Sequence, residues 1–252
     1  MAPARRHALV TGGGRGIGAA IARALTEAGA RVTVLGRAAP PLVAVVAEGA
    51  AAGFLTADVT DAAALDAALA AAEAARGPLD ILVNNAGNAE SAPFTRTDRA
   101  LWDRMLALNL TAVYEATRRV LPGMAARGWG RVVTIASTAG LVGYPYVSAY
   151  VAAKHGAIGL TRALAREVAR TGLTVNAVCP GYTDTDMLAA SIATISARTG
   201  RSAAAARTAL AAANPQARLI RPEEVAATVA FLCADAAAAI TGQAIAVAGG
   251  EV

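Results

Sequence analysis

Apolar residues come in two rhythms along this chain. Short runs such as HALVT, VTVL, ILV and RVVTIA alternate with longer stretches whose apolar positions recur every three or four residues. The short runs predict strands at 7–11, 31–35, 53–57, 79–84, 131–136, 173–179 and 244–248. The longer stretches predict helices over 16–29, 41–49, 61–76, 98–126, 148–170 and 222–234. Strands separated by helices of that length pair in parallel with right-handed crossovers. Runs that are apolar at successive positions belong in a sheet covered on both faces. No repeat, charge block or linker divides the chain. The pattern predicts one α/β domain over 1–252, a doubly wound parallel sheet with helices on both faces. Residues 185–220 break the alternation. They are helix-prone and poor in bulky side chains, and they follow the carboxyl end of the sixth strand, where a substrate loop or lid is expected.

Composition narrows the picture. The 252 residues are 56% hydrophobic and 16% charged, which excludes a disordered chain and an acidic solvating tail. Alanine occupies 70 positions and aromatic residues only 4%, so helices and sheet must approach closely. Two cysteines, Cys179 and Cys233, make no disulfide framework, and without a CxxC pair there is no metal or redox motif. A reducing, cytoplasmic setting is the simpler expectation. The stretch Met1 to His7 is short and basic and lacks the apolar region of a secretory signal. The uncharged run Val132 to Ala153 has the length of a membrane span, but its serine, threonine, glycine, proline and tyrosine residues argue against one. The net charge of +5 comes from 22 arginines and one lysine scattered along the chain, so no nucleic-acid patch is expected.

Candidate chemistry begins after the first strand, where Gly12-Gly13-Gly14-Arg15-Gly16-Ile17-Gly18 leads into a helix. Glycines there allow a tight turn and a close backbone approach to a pyrophosphate, and the helix N-terminus adds partial positive charge. The end of the second strand, where an acid would hold ribose hydroxyls, reads Val34-Leu35-Gly36-Arg37. Arg37 and Arg15 suit a 2′-phosphate, favouring NADP(H), with NAD(H) as the alternative.

Lys154 is the only lysine of the chain. In a protein that otherwise uses arginine for every cation, the exception points to a site that a planar guanidinium cannot serve. A compact ammonium can sit under a ring and donate to adjacent ribose hydroxyls. Tyr150 lies four residues earlier on the same helix face. A neighbouring ammonium and an oxidised nicotinamide would lower the tyrosine's ordinary pKa near 10 towards the working range of an acid–base catalyst. Ser137 ends the fifth strand and is placed to hold a substrate carbonyl; no GxSxG elbow makes it a nucleophile. Asn109 lies within the helical LALNLTAVYEA, where an amide has no helix-forming reason to be; it is expected to open the backbone and hold a proton-relaying water. Neither His7 nor His155 has an evident catalytic role.

Taken together these residues resemble the short-chain dehydrogenase/reductase family. The resemblance rests on TGGGRGIG at 11–18, ADV at 57–59, NNAG at 84–87, LNL at 108–110, IAS at 135–137, YVAAK at 150–154, NAVCPG at 176–181 and RPEEVA at 221–226. It implies a single Rossmann-type domain with seven parallel strands, and a homotetramer built on the helices at 98–126 and 148–170. It also implies catalysis by Asn109, Ser137, Tyr150 and Lys154. Gly12, Arg15, Gly16, Ile17, Gly18 and Arg37 match cofactor-phosphate and ribose positions, Asp58 and Val59 the adenine contact, and Asn85, Ala86 and Gly87 the cleft wall. Pro180, Gly181, Thr183 and Thr185 match the segment that holds the nicotinamide carboxamide.

The stretch from VVTIASTAG to NAVCPGYTDT most resembles bacterial β-ketoacyl and polyketide ketoreductases. Val142, Tyr144, Tyr146, Tyr182, Met187 and Leu188 are the candidate pocket residues; they describe an apolar site without a charged anchor, suited to a ketone, ester or thioester. The implied reaction is reversible reduction of such a carbonyl, with an acyl-carrier-protein or coenzyme A thioester among the substrate forms. Alternatives are an NAD(H)-dependent secondary-alcohol or 3-hydroxyacyl-CoA dehydrogenase, and a silent dinucleotide sensor. A sensor would lack part of the catalytic set, and none is missing.

Overall fold

A computed structural model of the chain describes residues 6–252; the basic stretch over 1–5 lies outside the described residues. Seven parallel strands form one sheet: β1 (His7–Thr11), β2 (Arg31–Gly36), β3 (Gly53–Thr56), β4 (Ile81–Asn84), β5 (Gly130–Ile135), β6 (Leu173–Pro180) and β7 (Ala244–Val247). Their order is β3-β2-β1-β4-β5-β6-β7. Successive side chains of a strand point to opposite faces, and these strands are apolar on both. Ala8, Val10, Val32, Val34, Ile81 and Val83 pack on one side with α1 (Gly16–Glu27), α2 (Ala39–Ala47) and α9 (Pro222–Cys233). Leu9, Leu35, Leu82 and Val132 face the other side, under α3 (Ala62–Arg76), α5 (Ala112–Ala126) and α6 (Ser148–Glu167). Two cores share one sheet, which is why the strands read as continuous apolar runs.

The helix expected over 98–126 runs as α4 (Arg99–Leu106), a π-helical turn (Ala107–Thr111) and α5, so the backbone does open around Asn109. Helix ends fall where local chemistry puts them. Asp61 caps α3 by accepting from the backbone N–H of Ala63 and Ala64, and Asp98 caps α4 through Leu101. The helix expected to reach residue 29 stops at Glu27, because Gly29, at φ 91°, turns the chain back so that Ala30 N–H donates to the Leu25 carbonyl. Residues 185–220 fold as a helical hairpin of α7 (Asp186–Thr199) and α8 (Ala203–Ala211) with its own small core of Leu188, Ile192, Ala206 and Leu219. Among the described residues no helix is long and apolar enough to cross a membrane.

At the amino edge of the sheet, His7 is fully buried. Its ring nitrogens meet the Gly77 carbonyl at 2.7 Å and Thr33 Oγ1 at 2.9 Å. Burial, reinforced by Arg31 and Arg76, holds its pKa below the ordinary 6.5, against the bond to Gly77. The neutral ring is therefore the folded form. Its contribution is fully present above about pH 6.5 and is lost as pH falls towards the folded value, since the unfolded chain then binds the extra proton. His7→Gln should show a shallower loss of urea-unfolding stability between pH 7 and pH 5 than the parent, at a cost of about 1–2 kcal/mol at neutral pH. Parallel slopes would show that His7 is not the titrating group.

Candidate active site

The strand order reverses between β1 and β4, and a crevice opens there at the carboxyl ends of the strands. The glycine turn crosses this crevice. Gly12 and Gly16 adopt left-handed φ values of 64° and 52°, open to glycine at little cost. Gly18 is required for a different reason: a Cβ there would lie 2.5 Å from Asn85 Nδ2 and overlap the Gly12 carbonyl. Asn85 is committed to holding the turn, donating through Nδ2 to the carbonyls of Thr11 (2.9 Å) and Gly12 (3.1 Å). Thr11 Oγ1 reciprocates by accepting from the N–H groups of Asn85 and Ala86, both at 3.0 Å. The first turn of α1 contains no acidic residue, and Arg15 at its N-cap gives no side-chain cap. Ile17 is half-buried at the start of this helix.

Arg15 and Arg37 are exposed beside the turn. Among the described residues neither takes part in an ion pair, whereas Arg23, Arg99, Arg104, Arg118, Arg119, Arg207 and Arg218 all do. Asp58 accepts at Oδ1 from the Thr60 N–H (2.9 Å) and hydroxyl (2.7 Å). These bonds, with Arg37 adding a smaller effect against desolvation, hold its carboxyl below the usual range. Val59 beside it is buried.

On the other side of the crevice β5 ends at Ile135, and Ser137 accepts from Ala139 N–H at 3.1 Å to cap a 3₁₀ turn at Thr138–Gly140. Helix α6 brings Tyr150 and Lys154 against this strand end. Lys154 is only 4% exposed, its Nζ donating to the Ile135 carbonyl at 2.8 Å and lying 5.6 Å from the Tyr150 ring centre. Burial pushes the ammonium down to about 8, and it also raises Tyr150, against a hydrogen bond from Ser137. The expected lowering of the phenol invokes the oxidised nicotinamide as well as the ammonium, and these directions are those of the polypeptide without it. In the polypeptide alone Nζ is spent on a backbone carbonyl, and desolvation dominates both groups.

Asn109 is fully buried in its π turn, donating to the carbonyls of Asn88 (3.0 Å) and Met105 (3.1 Å). Its Oδ1 has no partner. A Cβ on Gly87 would stand 2.9 Å from that oxygen and 3.6 Å from Lys154 Nζ, so the bare glycine leaves one space shared by an unmet acceptor and an ammonium. Opposite, Pro180 ends β6 and Gly181 N–H reaches the Val247 carbonyl at 3.1 Å. Thr183 Oγ1 donates to the Gly181 carbonyl at 2.9 Å, and Thr185 caps α7. Thr185 Cγ2 lies 3.1 Å from where a Gly16 Cβ would be, so this segment sits directly over the phosphate-type turn. A glycine turn, an uncapped helix end, two arginines outside any ion pair and a buried amide oxygen without a partner all lie at the carboxyl ends of the strands, a set of groups whose chemistry suits a dinucleotide.

The rim differs from expectation. Val142, Tyr146 and Met187 are exposed there, and Tyr146 takes a left-handed φ of 66°, unusual for a bulky residue. Leu188 points instead into the α7–α8 core, which Tyr182 also packs against. Tyr144, one of the expected pocket residues, hydrogen-bonds Glu251 from the C-terminal segment, so a carboxylate lies beside that otherwise apolar set. No motif marks Glu251, since its hydrogen-bond partner Tyr144 is 107 positions away in sequence. Cys179 was likewise unsuspected: it is buried near Ser137 and Lys154, and burial raises its thiol to about 11. His155 is exposed on α6, its Nδ1 at 3.0 Å from the Val151 carbonyl.

Fold and site together are those of a dehydrogenase. Residues 6–196 match the model of the short chain dehydrogenase family, and the chain belongs to that family of oxidoreductases. It is 42% identical over 96% of its length, and over 95% of the relative's, to a Streptomyces coelicolor protein provisionally named a ketoacyl reductase. It is 38% identical to D-beta-hydroxybutyrate dehydrogenase of Cupriavidus necator, with 94% of each chain covered. A crystal structure of a variant actinorhodin polyketide ketoreductase with NADPH superimposes with a TM-score of 0.94, at 42% identity, over 98% of this chain and 97% of that one.

Gly18→Ala should lower stability by about 1–3 kcal/mol, as overpacking at a fixed backbone crossing does, read from the urea midpoint. An unchanged midpoint would mean that the crossing can spread.

Proposed function

We propose that this oxidoreductase is an NADP(H)-dependent reductase of apolar ketones, acting reversibly between the carbonyl and the secondary alcohol. The observation that carries it is the burial of the only lysine one helical turn from Tyr150, beside Ser137 and the unpartnered Oδ1 of Asn109. Arg15, Arg37 and the α1 N-terminus would hold the phosphates over Gly12, Gly16, Ile17 and Gly18, with Asp58 and Val59 at the adenine. Ala86 and Gly87 would line the middle of the cofactor, and Pro180, Gly181, Thr183 and Thr185 its carboxamide end. When bound, NADP(H) supplies the hydride for the carbonyl carbon or takes it in reverse.

The remaining chemistry belongs to side chains. Ser137 donates to the substrate oxygen and fixes its position. Tyr150 transfers its hydroxyl proton to that oxygen during reduction and withdraws it during oxidation. Lys154 holds positive charge beside the phenol and stabilises the phenolate left behind. Asn109 Oδ1 accepts from a water that passes a proton back through Lys154. The α7–α8 hairpin serves as the substrate lid, and an acyl-carrier-protein or coenzyme A thioester is among the forms it would admit. The ketoreductase relative with NADPH supports this reading. Helices α4, α5 and α6 are the surfaces on which a homotetramer would assemble.

Tyr150→Phe should lower kcat by about 10²–10⁴-fold while NADPH still binds, as followed by its fluorescence. A near-parental rate would remove Tyr150 from the proton path. Arg37→Asp should reduce the NADPH-over-NADH preference in kcat/KM by about 10–100-fold, the worth of a charged hydrogen bond. An unchanged ratio would place Arg37 away from the cofactor.

A further inference from the structure

The C-terminus carries a side chain that the catalytic scheme leaves unused. After β7 the chain turns through Gly249 and Gly250, at φ values of 63° and 92°, and returns Glu251 towards the active-site end of the sheet. Its Oε1 accepts from the Tyr144 hydroxyl, which lies 3.0 Å from Thr138 Oγ1, next in sequence to Ser137. Its Oε2 is buried and has no partner. That oxygen lies 2.7 Å from where a Cβ on Gly181 would be, and the carboxylate adds to the rise in the neighbouring Tyr182 phenol. Glu251 thus stands between the loop that follows Ser137 and the segment that follows β6.

A buried carboxylate oxygen without a donor is costly, and a ligand that brings a donor removes that cost. Tyr144 cannot serve both oxygens. Its phenol is pushed up to about 12 by burial and by this bond, so it stays protonated and occupied with Oε1 across the working pH range. We propose that Glu251 Oε2 is a substrate-recognition acceptor, selecting ketones that carry a hydroxyl or other hydrogen-bond donor and rejecting ketones that carry a carboxylate. Rejection follows from like charge at short range in a site shielded from water. The assignment rests on the ketone-reductase reading above.

The test uses the NADPH-loaded enzyme with acetophenone, its ortho, meta and para hydroxyl derivatives, and the matching acetylbenzoates, which places the donor or charge at three distances from the carbonyl. At least one hydroxyl isomer should exceed acetophenone in kcat/KM by about tenfold or more, and the acetylbenzoates should fall below it by a similar factor. Glu251→Leu should abolish the hydroxyl preference and raise the acetylbenzoates relative to acetophenone. Glu251→Gln should keep part of the first and lose the second, because it retains an acceptor without the charge. Ratios within about twofold of the parental ones in both variants would overturn the assignment. Binding of the same compounds, followed by quenching of bound NADPH fluorescence, separates the two readings. Discrimination in binding without turnover would sustain the acceptor and refute the reductase, whereas turnover without discrimination would do the reverse. If no compound binds or reacts, both fall.

Discussion

The crevice between β1 and β4 is the constraint on which the rest of the molecule depends. Reversal of strand order leaves the carboxyl ends of these strands without a crossover above them, and the glycine turn must pass through that gap. Thr11 and Asn85 stitch the two strand ends with four reciprocal hydrogen bonds. Asn85 is thereby spent on the Thr11 and Gly12 carbonyls, which fixes where the turn leaves β1. The N–H groups at the start of α1 are left uncapped by side chains. Preorganisation of this kind lets a glycine-rich loop bind an anion without an ordering cost at the moment of binding.

The two buried cations show why one is lysine. Arg131, at the opposite end of the sheet, is 2% exposed, so burial alone does not exclude arginine. Its guanidinium stacks on Trp129 at 4.3 Å and donates to the carbonyls of Gly130 and Gly172. The planar fork thus finds a ring and two acceptors, and Arg6 covers the other side of the ring at 4.1 Å. Lys154 has a single carbonyl beneath it and the edge of Gly87 beside it. A point charge with rotatable donors can hold that carbonyl and still offer hydrogens into the groove; a fork could not without displacing the turn at Gly87.

Polarity at the substrate end is distributed differently from what an apolar residue list suggests. Tyr144 carries its hydroxyl to Glu251, whose charge also raises the Tyr182 phenol, and Val142, Tyr146 and Met187 are exposed. The α7–α8 hairpin is fastened by its own apolar core and by polar contacts at its base. Arg207 holds Asp184 at 2.6 Å on the surface, and the bridge between Thr183 and Ile220 pins its base. An exposed ion pair of this kind is worth only about 0–1 kcal/mol, so the buried side chains Leu188, Ile192, Ala206 and Leu219 contribute more to holding the hairpin than Arg207 does.

Sequence alone determined the strand-and-helix alternation and the parallel sheet, and it singled out the four residues proposed for catalysis. Each of these depends on local periodicity or on a motif whose members lie close in the chain. Even the opened backbone at Asn109 was legible, because an amide at the centre of an apolar helix has no local purpose. What only the tertiary structure decided depends on distant residues and on burial. Leu188 turned into the hairpin core because Ile192, Ala206 and Leu219 offered it more apolar contact than the groove did. How deeply Tyr150 and Lys154 are buried was also decided by the fold, and in the polypeptide alone desolvation raises the phenol and lowers the ammonium. Glu251 entered the site because two left-handed glycines reversed the last residues of the chain, and no spacing rule joins position 251 to positions 144 and 181.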